Sequence, residues 1–197
     1  MRKLVTYTSL VVIFSLIAAF FYIQEIQYWT PTPLPKGFKP IAIGTKVDLN
    51  LFRSSEKKLI HFYNPNCPCS KFNTPSYKAL LKQYRHDFDC YVVIQKAIKG
   101  LDNKEADFLK ELNVKIVVDL DKRLANAYGV YSTPQIVLVD EMDQIYYRGN
   151  YNQARYCTNP QTNFAKIAID SMLRGSEYLF PSSAFTAYGC SLNRKTY

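Results

Sequence analysis

Cys67 and Cys69 flank one proline in the stretch Asn64-Pro65-Asn66-Cys67-Pro68-Cys69-Ser70, where an apolar run meets a segment of helical character. Two thiols at that spacing can clasp a metal, staple a loop or exchange electrons with another disulfide. A sulfur at the start of a helix faces unpaired backbone N–H groups and the positive end of the helix dipole, which lowers its pKa. More thiolate means faster attack on disulfides, since the thiolate is the nucleophile. Pro68 suits the first helical position, whose N–H would lack a partner in any case. Cys67 is therefore the expected attacking thiolate, Cys69 the expected resolving thiol, and Ser70 a hydrogen-bond donor to the thiolate. A Cys67–Cys69 bond needs a sharp bend at Pro68 to bring the Cα atoms within about 4.4–6.8 Å. The residue before a proline resists the helical region, so that bond is expected to be strained and relatively oxidising.

A metal is the main alternative. With His61 or His86, Cys67 and Cys69 would suit Cu(I) better than zinc, because soft thiolates select soft ions and the second ligand pair of a zinc finger is missing. A Cys-x-Cys without a nearby Met or an aligned His is a thin copper site, so neither a metal nor another cofactor is expected. A peroxidase of the peroxiredoxin type fits less well, since Asn64 stands where its motif needs threonine. Cys90 opens an apolar strand and reads as a buried thiol. Cys157 and Cys190 lie in polar, loop-like sequence, and in an oxidising compartment such cysteines usually pair. A structural Cys157–Cys190 bond would tie the tail to the domain. The competing reading makes Cys190 a mobile arm that resolves Cys67 or Cys69.

The elements that must position these residues alternate. Lys57–Tyr63 reads as a buried strand that runs into the cysteine motif, followed by a helix kinked at Pro75. Cys90–Gln95 and Val114–Leu120 read as further strands, separated by a helix over Asn103–Leu112. A short helix stops at Gly129. "QIVLVD" and "QIYYRG" read as an antiparallel hairpin, and "TNFAKIAIDSML" as a last helix with Phe164, Ile167, Ala168 and Ser171 on one face. This order argues for an α/β sheet covered on both faces. With 7 glycines in 197 residues and no glycine-rich phosphate loop, a nucleotide-binding fold is disfavoured.

In this order the motifs resemble the thioredoxin-like superfamily, in particular its membrane-anchored envelope members, over about Ile41 to Gly175. The resemblance rests on the strand leading into the cysteine motif, on Pro75, on "YGVYSTPQIVLVD" as the cis-proline loop with its strand, and on the following hairpin. It implies a three-layer sandwich, a mixed sheet with helices on both faces. It also implies a cis peptide at Thr133-Pro134, whose backbone would dock the substrate. Cys67 lies eight residues before Pro75, as the family's first cysteine does. The family's Cys-x-x-Cys is here Cys67-Pro68-Cys69-Ser70, with Ser70 in the usual resolving position. His61 falls where many thioredoxins bury a carboxylate that assists proton transfer, so it is a candidate support for the thiolate. The implied activity is thiol–disulfide oxidoreduction, with disulfide-containing or dithiol proteins and an electron donor or acceptor as partners.

The rest of the chain concerns location. Net charge is +9, but Lys and Arg are spread without a dense run, so nucleic acid is not an expected partner. Leu4 to Gln24 is uncharged, mostly apolar and about long enough to cross a bilayer as a helix. Arg2 and Lys3 orient it with the following chain outside the cytoplasm, and Tyr22, Tyr28 and Trp29 suit a membrane interface. A cleaved signal peptide is the rival, but bulky Phe20 and Phe21 follow Ala18-Ala19 where a small-x-small site is needed. The expectation is a single-pass inner-membrane protein with its domain facing the periplasm. Residues 1–29 form the anchor, 30–40 a stiff proline-rich linker, 41–175 the thioredoxin-like domain and 176–197 a C-terminal extension. A copper-handling or non-catalytic adaptor module on the same fold is the competing reading.

Overall fold

The computed structural model describes residues 2–47, 49, 52, 56–96, 98–153 and 159–192. The chain forms two compact units, Met1–Pro31 and Thr32–Tyr197. The first is helix α1 (Arg2–Trp29). Its segment Lys3–Ile23 is long and apolar enough to cross a membrane, with its side chains exposed throughout. A helix apolar on every side has no face suited to water, which is the condition lipid or a protein core relieves.

The second unit runs β1 (Lys58–Tyr63), α2 (Pro68–Tyr84), β2 (Asp89–Ile94), α3 (Asn103–Leu112), β3 (Lys115–Val118) and α4 (Arg123–Ala127). It continues with β4 (Ser132–Thr133), β5 (Gln135–Val139), β6 (Ile145–Gly149), α5 (Phe164–Leu173), α6 (Ser182–Phe185) and β7 (Cys190–Ser191). Five strands form one sheet in the order β3-β2-β1-β5-β6. β1 pairs in parallel with β2, which pairs in parallel with β3, whereas β5 is antiparallel to β1 and to β6.

Side-chain alternation along each strand builds a core on each face of the sheet. Leu59, Tyr63, Val92, Ile94, Ile136 and Leu138 join the core lined by α2, α3, α5 and α6. Ile60, Phe62, Tyr91, Val93, Val137 and Val139 join the core on the face of α4. This is a thioredoxin-like three-layer sandwich with β1 at its centre, so the residues after β1 emerge mid-sheet, where neighbouring loops converge.

Local rules explain the helix bounds. Asp102 caps α3, accepting from the Glu105 N–H at 2.8 Å, and Glu105 returns the capping-box bond to the Asp102 N–H at 3.0 Å. Gly129 adopts φ +66° just beyond α4, as its reading as a stop requires. The compact unit takes in Thr32, ahead of the expected domain start at Ile41, and includes residues 176–192. Thr32 is buried because its N–H donates to the Ala187 carbonyl at 2.7 Å, which draws the first residues of the proline-rich stretch onto the tail.

Candidate active site

The turn after β1 is built from its asparagines. Asn64 Oδ1 accepts from the Asn66 N–H at 2.9 Å, and the Asn64 carbonyl accepts from the Cys67 N–H at 2.9 Å. Cys67 is the N-cap of α2, in extended geometry, and Pro68 follows at the first helical position. Cys67 thus stands where serine or aspartate ordinarily accepts from the first-turn N–H groups. No side chain caps the helix in this state. The reason lies in the bond that its sulfur makes.

Cys67 is disulfide-bonded to Cys190, with a Cα–Cα distance of 5.9 Å across 123 residues of sequence. The expected structural pairing of Cys190 with Cys157 is therefore replaced, and Cys157 lies outside the described residues. The expected Cys67–Cys69 bond is replaced as well. The physical reason is that the tail returns as a strand. β7 pairs antiparallel with β4, Thr133 opposite Cys190 and Ser132 opposite Ser191, which brings Cys190 level with the mouth of α2. Cys69 is buried in the first turn of α2, outside this bond, and the three sulfurs of Cys67, Cys69 and Cys190 all lie within 4.8 Å of one another.

The peptide bond Thr133-Pro134 is cis. The Thr133 carbonyl lies 3.4 Å from Cys67 Sγ. A disulfide sulfur carries no hydrogen, so this is a close S···O contact. The Thr133 carbonyl thus borders Cys67, and the edge of Ser132-Thr133 is taken by Cys190-Ser191 of the same chain.

The strand that carries Cys190 is held by several groups that sequence reasoning missed. Thr32 Oγ1 donates to the Gly189 carbonyl and accepts from the Gly189 N–H, both at 3.0 Å, and lies 3.1 Å from Ser132 Oγ. The Leu192 N–H donates to the Tyr131 carbonyl at 3.0 Å. Upstream, Asn150 Nδ2 donates to the carbonyls of Ser183 at 2.9 Å and Thr186 at 2.6 Å, clamping α6. Gly189 itself permits the approach, since a Cβ there would sit 2.2 Å from the Thr133 oxygen. A glycine directly before a tail cysteine was the available sequence signal for such a close backbone passage.

The two residues expected to support the thiolate, Ser70 and His61, are both fully buried. The Ser70 Oγ accepts from the Asn64 N–H at 3.3 Å, tying the turn together. His61 points to the α2 face of the sheet. Its Nδ1 lies 2.6 Å from the Tyr151 hydroxyl, and its ring stacks on Tyr77 with centroids 4.2 Å apart. Burial pushes its pKa down to about 3, outweighing the Gln135 backbone, which acts in the opposite sense. Burial also holds the Tyr151 hydroxyl well above its ordinary value, so Tyr151 donates to a neutral imidazole. His61 is a satisfied core residue on its Nδ1 side. Cys90, half-buried at the start of β2, has its thiol pushed up to about 11 by burial, which leaves it protonated and unreactive near neutrality.

The family model described as Domain of unknown function (DUF6436) matches residues 42–191. The chain belongs to this family. The match covers the sheet, the cysteine motif, the cis-proline loop and Cys190. Curated proteins provide no match. Among solved structures, a hypothetical protein from Sinorhizobium meliloti 1021 is similar at 18% identity, covering 78% of this chain and 95% of that one with a TM-score of 0.63. An uncharacterized conserved protein from Geobacillus kaustophilus is similar at 22% identity, covering 83% and 93% with a TM-score of 0.60. At these identities the likeness concerns the fold.

Proposed function

We propose that this DUF6436 member is a membrane-anchored, extracytoplasmic thiol–disulfide oxidoreductase whose working disulfide is Cys67–Cys190. The observation that carries the reading is a disulfide at the N-cap of α2, against the carbonyl before a cis-proline, with a third thiol inside 4.8 Å. In the reducing direction, the Cys67 thiolate attacks a substrate disulfide and expels one substrate thiolate. Cys190 then attacks the Cys67 sulfur, forms the Cys67–Cys190 bond and releases the second substrate thiolate. Two electrons pass from the enzyme dithiol to the substrate, and the two thiol protons end on the products. In the oxidising direction, an incoming thiolate meets the partly exposed Cys190 more readily than Cys67, which is 1% exposed. Attack there expels Cys67, whose negative charge the helix terminus favours, and a better leaving group leaves faster. Cys190 thus takes the resolving role first expected of Cys69. α1 supports the location, being long and apolar enough to hold the unit at a membrane.

The test uses the full chain in detergent with a disulfide-bearing protein substrate. Cys190→Ser is expected to accumulate mixed disulfides through Cys67, because a mixed disulfide persists without its resolving thiol. Cys67→Ser should form none, and Cys69→Ser should retain turnover within about tenfold. Wild-type exchange rates in Cys190→Ser would overturn the reading.

A further inference from the structure

The cluster at the mouth of α2 holds a third sulfur that the exchange between Cys67 and Cys190 does not use. We propose that, once the Cys67–Cys190 bond is reduced, Cys67, Cys69 and Cys190 form a trigonal thiolate site for a soft cation, Cu(I). This goes beyond the exchange reaction and needs only that the bond be reducible.

The geometry suits three-coordination. Thiolate–metal bonds of about 2.3 Å around one ion place trigonal sulfurs about 4 Å apart. The three sulfurs already lie within 4.8 Å of one another, and reduction lets the bonded pair separate towards that spacing. Cys67 and Cys69 ride on one rigid helical turn.

Cys190 does not depend on its disulfide for its place. The Thr133–Cys190 ladder, the Thr32 bonds to Ala187 and Gly189 and the Leu192–Tyr131 bond all persist when the sulfurs part. A reduced tail held in this way keeps three thiols facing one another in a largely buried spot. Ionised, they repel, and a buried negative charge without a counter-ion is costly. A cation among them relieves both penalties.

The donor set selects the metal. Thiolate ligands favour soft ions such as Cu(I). Structural zinc takes four protein ligands almost without exception, and among the described residues no His, Asp or Glu joins the three cysteines. Reduction of the bond by a dithiol transfers two electrons and two protons and leaves that reductant as its own disulfide. Binding of Cu(I) then releases up to three thiol protons and changes no oxidation state.

The experiment titrates Cu(I), without oxygen, into the reduced full chain in detergent against a chromophoric Cu(I) chelator. X-ray absorption on the loaded protein reads the ligands. One ion per chain with three sulfur neighbours at a single distance is expected. Each of Cys67→Ser, Cys69→Ser and Cys190→Ser should weaken binding at least 100-fold, whereas Cys90→Ser leaves it unchanged. Oxidised protein should not compete with the chelator. Unchanged affinity in Cys190→Ser, loss in Cys90→Ser, two sulfur neighbours, or tighter Zn(II) than Cu(I) would each overturn the site. Circular dichroism of each variant shows whether it is folded. Disulfide exchange is assayed on metal-free protein, so failure of the metal site and failure of the exchange reaction are read separately.

Discussion

His61 shows how one buried side chain couples folding to pH. Its ring is neutral in the folded chain because burial holds the pKa near 3, against 6.5 in an exposed histidine. The unfolded chain therefore binds one more proton between those two values, and stability contributed by the neutral ring is complete above pH 6.5 and lost as pH falls towards 3. Relative to His61→Gln, the wild-type protein is expected to lose up to about 1.4 kcal/mol per pH unit across that window. Denaturant titrations of both proteins at pH 7, 5 and 4 check this, and parallel pH profiles would remove the assignment. The position of His61 was legible from its spacing to Cys67, but its role was not. Tyr151, whose hydroxyl meets the Nδ1, lies 90 residues away on a loop with no periodic signal. Cys190 was legible as a partner either for Cys157 or for the Cys67–Cys69 motif. The sequence could not choose between them, because the pairing of β7 with β4 that brings it to Cys67 leaves no local signal.

The pairing of β4 with β7 is the element on which the site turns. Each strand has two residues, too short to persist alone, so the pair exists because Thr32, Tyr131 and the cis loop present matching groups. Gly189→Ala would force a methyl group to within 2.2 Å of the Thr133 carbonyl, a backbone atom with nowhere to rotate. The pair should open, and Cys67–Cys190 should become at least ten times easier to reduce in a glutathione redox titration. An unchanged equilibrium would show that the tail does not position Cys190. The larger elements were legible because their signals are local. The strand at Lys58–Tyr63, the hairpin of β5 and β6 and the helix Asn103–Leu112 stand where apolar runs and turn residues put them. β4, β7 and α6 were not, since a two-residue strand and a one-turn helix have no period to read. The proline-rich stretch was ambiguous for a related reason. Its composition favours an extended chain, and an extended chain serves equally as a spacer or as a segment docked by hydrogen bonds such as those of Thr32.

At the scale of the molecule, one bond spans most of the folded unit. Joining residues 123 apart in sequence removes conformational freedom from the unfolded chain. In the chain-entropy model that closure is worth about 5 kcal/mol. The oxidised protein is therefore expected to unfold at distinctly higher denaturant than the same protein reduced and alkylated, with both retaining the same secondary structure in water. Near-equal midpoints would mean that the tail supplies little beyond what its hydrogen bonds already hold. The prediction also separates the bond from the catalytic question, since closure entropy acts whether or not the disulfide turns over.

Thr32 is where the compact unit begins, and the chain reaches it from the apolar helix through Pro31. A pull on the unit from that side is felt first by the Thr32–Ala187 and Thr32–Gly189 bonds, in series with the strand that carries Cys190. When those bonds yield under tension, the oxidised chain still has a covalent tie at Cys67, whereas the reduced chain can peel its strand away from Thr133. The oxidised and reduced chains thus differ in mechanical strength along one direction, the one from which the chain enters the unit at Thr32.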